Sequence, residues 1–157
     1  MPDLKRLSKI TDARRFLVPT DGSQAAFEAL DFACTQAKRT KGQVYVVHVI
    51  EVKRTRPLDA EMTLEATRGE HILADAERLG EVVGVEVEGE LLQAREAGHA
   101  IVDEAIERAI DVIVLGTEYT KPFGDYQTGR TTQYVIKQAP CQVWILRMPA
   151  RGSEGRA

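Results

Sequence analysis

Short apolar runs of β-prone residues alternate with segments of helical period along this chain, and the alternation constrains the fold more than any other feature. Between the runs, apolar residues recur every three or four positions, as Ala26, Leu30 and Ala33 do, which is typical of one face of an α-helix. Strict alternation favours a parallel sheet with helices on both faces and right-handed crossovers. The predicted strands are residues 15–19, 44–50, 85–91, 111–116 and 142–147.

The size and charge of the chain indicate one globular domain. The chain has 157 residues, of which 43% are hydrophobic and 29% charged, and this length suits a single core without disulfides. We predict a polar extension at 1–13, the domain at 14–148 and a flexible tail at 149–157. A net charge of −3 argues against a nucleic-acid surface, which needs clustered cations. The polar start and the lack of long apolar runs predict a cytoplasmic protein without membrane insertion.

The residues that commonly carry chemistry are isolated in the sequence. Cys34 and Cys141 lie apart in apolar stretches, without zinc-ligand spacing, and we expect two buried, reduced thiols. His48 lies within an apolar strand, where a hydrogen-bonded structural histidine is expected. No catalytic group and no metal site is predicted.

The parallel sheet itself predicts where a ligand binds. In such sheets, ligands occupy the crevice beyond the carboxyl ends of the strands, where the strand order reverses. The relevant residues are then 20–23, 50–52 and those from Gly116 onward. Asp21 or Ser23 is also expected to cap the first helix.

Three segments resemble the universal stress protein family. They are residues 16–23, residues 47–50, and residues 113–116 leading through Gly129 to residues 134–143. The resemblance implies a Rossmann-like, doubly wound domain whose five-stranded parallel sheet has the order 3-2-1-4-5. It also implies a homodimer formed through the last strand, where the candidate interface residues are Val143, Trp144 and Ile145.

Nucleotide-binding members of this family carry a glycine loop after the fourth strand. Their pattern is Gly-x-x-Gly, nine residues, then Gly-Ser or Gly-Thr, which lets backbone N–H groups hold phosphate. Here Gly116 and Gly129 match, whereas Tyr119 replaces the second glycine and Arg130 replaces the hydroxyl residue. Thr131 follows one place late.

The resemblance gives a candidate nucleotide site, with Val49 at the position whose backbone contacts adenine. Arg130 suits an anion bound at the helix start; the alternative is that it is solvated or pairs with Asp125. The candidate residues are Pro19, Thr20, Asp21, Val49, Gly116, Thr117, Tyr119, Gly129, Arg130 and Thr131.

The leading functional hypothesis is a dimeric, non-catalytic regulatory or binding module with an altered nucleotide loop. It requires no cofactor, and ATP or AMP are the candidate ligands. One alternative is an adenine-nucleotide switch or slow ATPase that uses the crevice between strands one and four. Another is a soluble partner of a membrane transporter.

Overall fold

A computed structural model describes residues 1–119 and 129–150 of the chain. A 3₁₀ helix, Leu4–Asp12, precedes the domain. The strands are β1 (Arg15–Pro19), β2 (Gln43–Glu51), β3 (Val87–Ala94), β4 (Val112–Glu118) and β5 (Gln142–Met148). The helices are α1 (Gln24–Thr40), α2 (Thr63–Val83), α3 (Ala97–Glu107) and α4 (Arg130–Gln138).

The five strands form one parallel sheet in the order β3-β2-β1-β4-β5. This confirms the predicted fold class and strand order. Side chains of β1 alternate between two cores: Phe16 and Val18 pack toward α1 and α2, whereas Leu17 packs toward α3 and α4. Because β1 pairs with β2 on one side and β4 on the other, the strand order reverses between β1 and β4.

The third strand begins two residues later than its alternating pattern predicts. Gly84 ends α2 in the left-handed conformation, with φ 91°. The N–H groups of Gly84 and Val85 both donate to Gly80 O at 2.8 Å. The N–H of Val85 therefore belongs to the cap of α2 and not to the hydrogen-bond ladder of β3.

The end of α1 shows why a glycine near a helix terminus is an ambiguous signal. Lys41, not Gly42, takes the left-handed conformation there, with φ 57°. A Cβ on Gly42 would lie 2.2 Å from Arg14 O. Gly42 is thus required by a close approach to the chain before β1.

One predicted boundary changes at the end of β4. The strand continues through Thr117 to Glu118 instead of ending at Gly116. Residues 120–128, and residues 151–157 of the predicted tail, lie outside the described residues. Within the described part of the chain, no helix is long and apolar enough to cross a membrane.

The two cysteines are free thiols. Cys34 is fully buried in α1, and burial raises the pKa of its thiol to about 12. Cys141 is half-buried, so the prediction of two buried thiols is right for Cys34 and only partly right for Cys141.

Candidate functional site

The turn after β1 forms one wall of the candidate site. Gly22 has a left-handed φ of 84°, and its N–H donates to Thr20 Oγ1 at 3.1 Å. Asp21 Oδ1 accepts from the Ser23 N–H at 2.9 Å, and Ser23 Oγ accepts from the Ala26 N–H at 3.2 Å. Ser23 is therefore the N-cap of α1, as predicted, while Asp21 stabilises the turn before it.

His48 joins the end of β2 to this turn. Its Nδ1 lies 2.8 Å from Thr20 O, and the residue is 8% exposed. Helix α2 packs closely on the imidazole, since a Cβ on Gly69 would lie 2.8 Å from His48 Cδ2. The prediction of a hydrogen-bonded structural histidine is confirmed.

An inner crevice of about 240 Å³ lies where the strand order reverses between β1 and β4. The carboxyl ends of β1, β2 and β4 border it, together with residues from the first turns of α1, α3 and α4. The candidate residues on its walls are Pro19, Thr20, Asp21, Val49, Gly116 and Thr131.

The inner crevice adjoins an outer cleft of about 620 Å³, and three of the candidate residues, Asp21, Gly116 and Thr131, border both. The outer cleft is lined by the first turns of α3 and α4 and by the end of β4. Three further candidate residues lie on its walls: Thr117, Gly129 and Arg130. The structure thus brings together all the candidate nucleotide residues except Tyr119.

Tyr119 borders neither cavity. The Arg147 guanidinium on β5 lies 5.1 Å from the centroid of the Tyr119 ring, within cation–π range. The ring that replaces the family's second glycine therefore lies against β5 instead of filling the crevice.

Gly116 and Gly129, the two glycines that match the family pattern, differ in whether the fold itself requires glycine. A Cβ on Gly116 would lie 2.0 Å from Ala25 O, so glycine is required there for α1 to pack against β4. A Cβ on Gly129 would meet no atom of the described residues within 4 Å, and its φ of −61° suits any residue. Of these two glycines, Gly129 is the one beside which the described residues leave open space.

Helix α4 begins at the outer cleft without a side-chain cap. Gly129 is its N-cap, and its first turn carries no acidic residue. The N–H groups of a first helical turn have no acceptor within the helix and favour a negative charge. Arg130 is exposed at this point, and no carboxylate of the described residues pairs with it. The alternative partner Asp125 lies outside the described residues.

Sequence analysis missed a cluster at the mouth of the outer cleft. The His99 ring stacks on Tyr134, with centroids 4.1 Å apart, and His99 Nε2 lies 2.8 Å from Glu96 Oε2. Glu51 Oε2 accepts from the Ala97 N–H at 3.3 Å at the start of α3. His99 and Tyr134 are 35 positions apart on different helices, so no local spacing indicates the contact.

Acidic side chains outnumber cations around the outer cleft. Of the described residues, Glu51, Glu96, Glu118 and Asp21 border it, against the guanidinium of Arg130. Within the described residues, no three His, Cys, Asp or Glu side chains come together in a way that could hold a metal ion. The charge of these lining residues therefore disfavours a highly charged anion more than a ligand with little negative charge.

The residues predicted for a dimer interface lie on β5, an edge strand of the sheet. The Trp144 ring contacts Phe16 and Phe32 of its own chain at centroid distances of 5.9 and 6.0 Å. Val143 packs partly against the core on the α3 side, whereas Ile145 is 40% exposed.

Comparison with known proteins places the chain in one family. The family model described as the universal stress protein family matches residues 13–147. A universal stress protein of Methanocaldococcus jannaschii is 29% identical over 88% of this chain and 84% of its own length. A universal stress protein structure from Archaeoglobus fulgidus is 27% identical with a TM-score of 0.72, over 84% of this chain and 97% of that one.

A second Archaeoglobus fulgidus structure is that of the universal stress protein in complex with dAMP. It is 26% identical with a TM-score of 0.68, over 84% of this chain and 96% of that chain. The family model and the sequence relatives agree with the observed fold. This chain belongs to the universal stress protein family.

Proposed function

We propose that this protein is a non-catalytic regulatory module that binds an adenine mononucleotide. The observation that carries the proposal is the pair of adjoining cavities at the strand reversal, which is bordered by nine of the ten candidate residues. The dAMP complex of the Archaeoglobus fulgidus relative supports a ligand of this class.

The base occupies the inner crevice in this proposal. Val49, at the position matched with adenine contact, lies on its wall opposite the β4 side formed by Leu115 and Gly116. Asp21 borders both cavities, where its carboxylate can accept a hydrogen bond from a ribose hydroxyl.

The phosphate occupies the outer cleft at the start of α4. Arg130 supplies a guanidinium that matches phosphate oxygens, and the first-turn N–H groups add donors. The open space beside Gly129 lets the phosphate approach the backbone. Arg130 thus replaces the hydroxyl residue of the family pattern with a cationic contact.

The charge of the cleft favours one phosphate over three. Four carboxylate residues and one arginine border the outer cleft, so each additional phosphate charge meets more repulsion than attraction. We expect AMP to bind more tightly than ADP, and ADP more tightly than ATP.

The regulatory form is a homodimer formed through β5. An edge strand offers an unpaired row of N–H and C=O groups to a second copy. The exposed Ile145 adds apolar surface there, while the contacts of Trp144 with Phe16 and Phe32 hold the strand in place.

Calorimetric titration of the nucleotide-stripped chain with AMP, ADP and ATP tests the proposal. We expect Arg130→Ala to weaken AMP binding roughly tenfold to a hundredfold, as loss of a charge-assisted hydrogen bond does. The matched control is Lys137→Ala, which removes a cation from the last turn of the same helix. An absence of heat with all three nucleotides at millimolar concentration would contradict the proposal.

A further inference from the structure

A third cavity, of about 550 Å³, lies between the end of β2, the β2–α2 loop and the first turns of α2. It shares Asp21, His48, Val49 and Glu51 with the inner crevice but none of the residues of α3 or α4. Three cationic side chains border it: Lys53, Arg56 and Arg68.

These cations have weak partners or none within the protein. Arg56 Nη1 donates to Met62 Sδ at 3.2 Å, and a thioether is a poor acceptor. Arg68 Nη2 makes one long contact, 3.4 Å, with Asp21 O. Across residues 1–119 and 129–150, no carboxylate lies within ion-pair distance of Lys53, Arg56 or Arg68.

The acidic residues of the cavity form no direct ion pair with its cations. The Asp21 carboxylate accepts from the Ser23 N–H in its own turn. The Glu51 carboxylate accepts from the Ala97 N–H at the start of α3. Glu65 is exposed on the first turn of α2 and makes no ion pair with Arg68, three positions along the same helix.

The loop that carries Lys53 and Arg56 is fixed from the end of β3. Arg95 Nη1 donates to the carbonyl oxygens of Val52, Lys53 and Arg56 at 3.3, 2.6 and 2.7 Å. Gln93 Nε2 donates to two more carbonyls further along the loop, Leu58 O at 2.9 Å and Ala60 O at 3.1 Å. The loop backbone is therefore ordered before any ligand binds, which lowers the entropic cost of binding.

We propose that this cavity is a second anion subsite, and that it binds a phosphate group. Two guanidiniums without a carboxylate partner among the described residues, carried by an ordered loop and a helix, supply the kind of donors by which arginine recognises phosphate. This subsite goes beyond the proposed nucleotide site, because it uses neither α4 nor the glycine loop. The phosphate belongs either to a separate molecule or to the nucleotide in the adjoining crevice.

Calorimetric titration of the full, nucleotide-stripped chain with inorganic pyrophosphate tests the subsite. We expect Arg56→Ala/Arg68→Ala to weaken pyrophosphate binding at least about tenfold. The matched control is Arg54→Ala/Arg78→Ala, which removes two arginines that do not border the cavity. Pyrophosphate binding that is absent from the wild type, or equally weakened in both variants, overturns the proposal.

A second titration, into protein saturated with AMP, distinguishes the two sources of phosphate. Unchanged pyrophosphate affinity assigns the subsite to a separate molecule, whereas mutual competition assigns it to a phosphate of the nucleotide itself. In both cases the binding must depend on Arg56 and Arg68. If AMP does not bind, the proposed function fails, and the pyrophosphate titration still decides the subsite.

Discussion

The two ends of the sheet use arginine in opposite ways. At the amino end, Arg108 is surrounded by carboxylates: it contacts Glu90 and lies 2.9 Å from Glu104 and 3.7 Å from Glu88. Hydrogen bonds to Glu104 and Glu90 raise the pKa of Arg108 above its usual value. The acidic side chains of the edge strand β3 thus take part in an ion-pair network.

Aromatic packing completes the amino end. The guanidiniums of Arg15 and Arg108 lie 5.3 and 4.6 Å from the centroid of the Tyr45 ring. Asp111 Oδ2 accepts from the backbone N–H groups of Arg14 and Arg15 at 2.9 and 3.0 Å. Charged groups at this end satisfy one another.

At the carboxyl end, the described residues leave Arg56, Arg68 and Arg130 without carboxylate partners. These three side chains border the cavities described above. We therefore expect that pairing within the protein distinguishes a stabilising cation from a ligand-binding one better than residue type does. Mutations at the two ends should separate stability from binding.

The largest expected effect on stability is an exception to that comparison. Gly116 lies at the carboxyl end of the sheet, yet its role there is structural. Gly116→Ala drives a Cβ into the carbonyl of Ala25 and should lower the free energy of unfolding by about 3 kcal/mol. Urea denaturation measures the change. Gly129→Ala, the matched control, should stay within about 0.5 kcal/mol. A fully stable Gly116→Ala that loses only AMP binding would show that the glycine serves the ligand.

The second-largest expected effect is a loss of stability at the amino end of the sheet. Arg108→Ala leaves Glu104 and Glu90 without their partner and should lower the free energy of unfolding by about 2 kcal/mol, with AMP affinity unchanged. Thermal and urea denaturation check the stability. Arg78→Ala breaks only an exposed pair with Asp75 and should change stability by less than about 0.5 kcal/mol. Equal losses in both variants would remove the distinction between the two environments.

The smallest expected effect comes from a variant that changes both stability and pyrophosphate affinity, each by a small amount. Arg95→Met removes the hydrogen bonds that order the β2–α2 loop and should cost about 1 kcal/mol of stability. Pyrophosphate binding should weaken a few-fold, since the ligand would then have to order the loop. Arg54→Met in the same loop is the control for loss of charge. Pyrophosphate affinity that falls equally in the two variants would mean that charge alone, and not loop order, sets the affinity.

Much of the fold could be predicted from the sequence because its signals are local. Alternating strand and helix periods predict the parallel sheet, and the resemblance adds the strand order. The start of β3 could not be predicted, because Val85 fits the strand pattern equally well while its N–H completes the cap of α2. Local pattern does not reveal which of two elements uses a backbone group.

The edge of the sheet that holds the candidate site was predictable for the same reason, since the ends of parallel strands meet there. The positions of individual side chains were not. The contact of Tyr119 with Arg147 depends on the register of β4 and β5. Arg56 has no carboxylate partner among the described residues, while the Glu51 carboxylate of the same cavity accepts from the Ala97 N–H. Both arrangements depend on tertiary contacts, which residue spacing in the sequence does not indicate.

The ordered β2–α2 loop has a consequence for how this protein can evolve. Arg95 and Gln93 hold the loop through its carbonyl oxygens, which every amino acid carries. The loop conformation is therefore largely insensitive to which side chains occupy residues 53, 54 and 56. Ligand preference at this cavity can drift by single substitutions while the scaffold stays the same, which makes the loop a natural place to engineer new specificity.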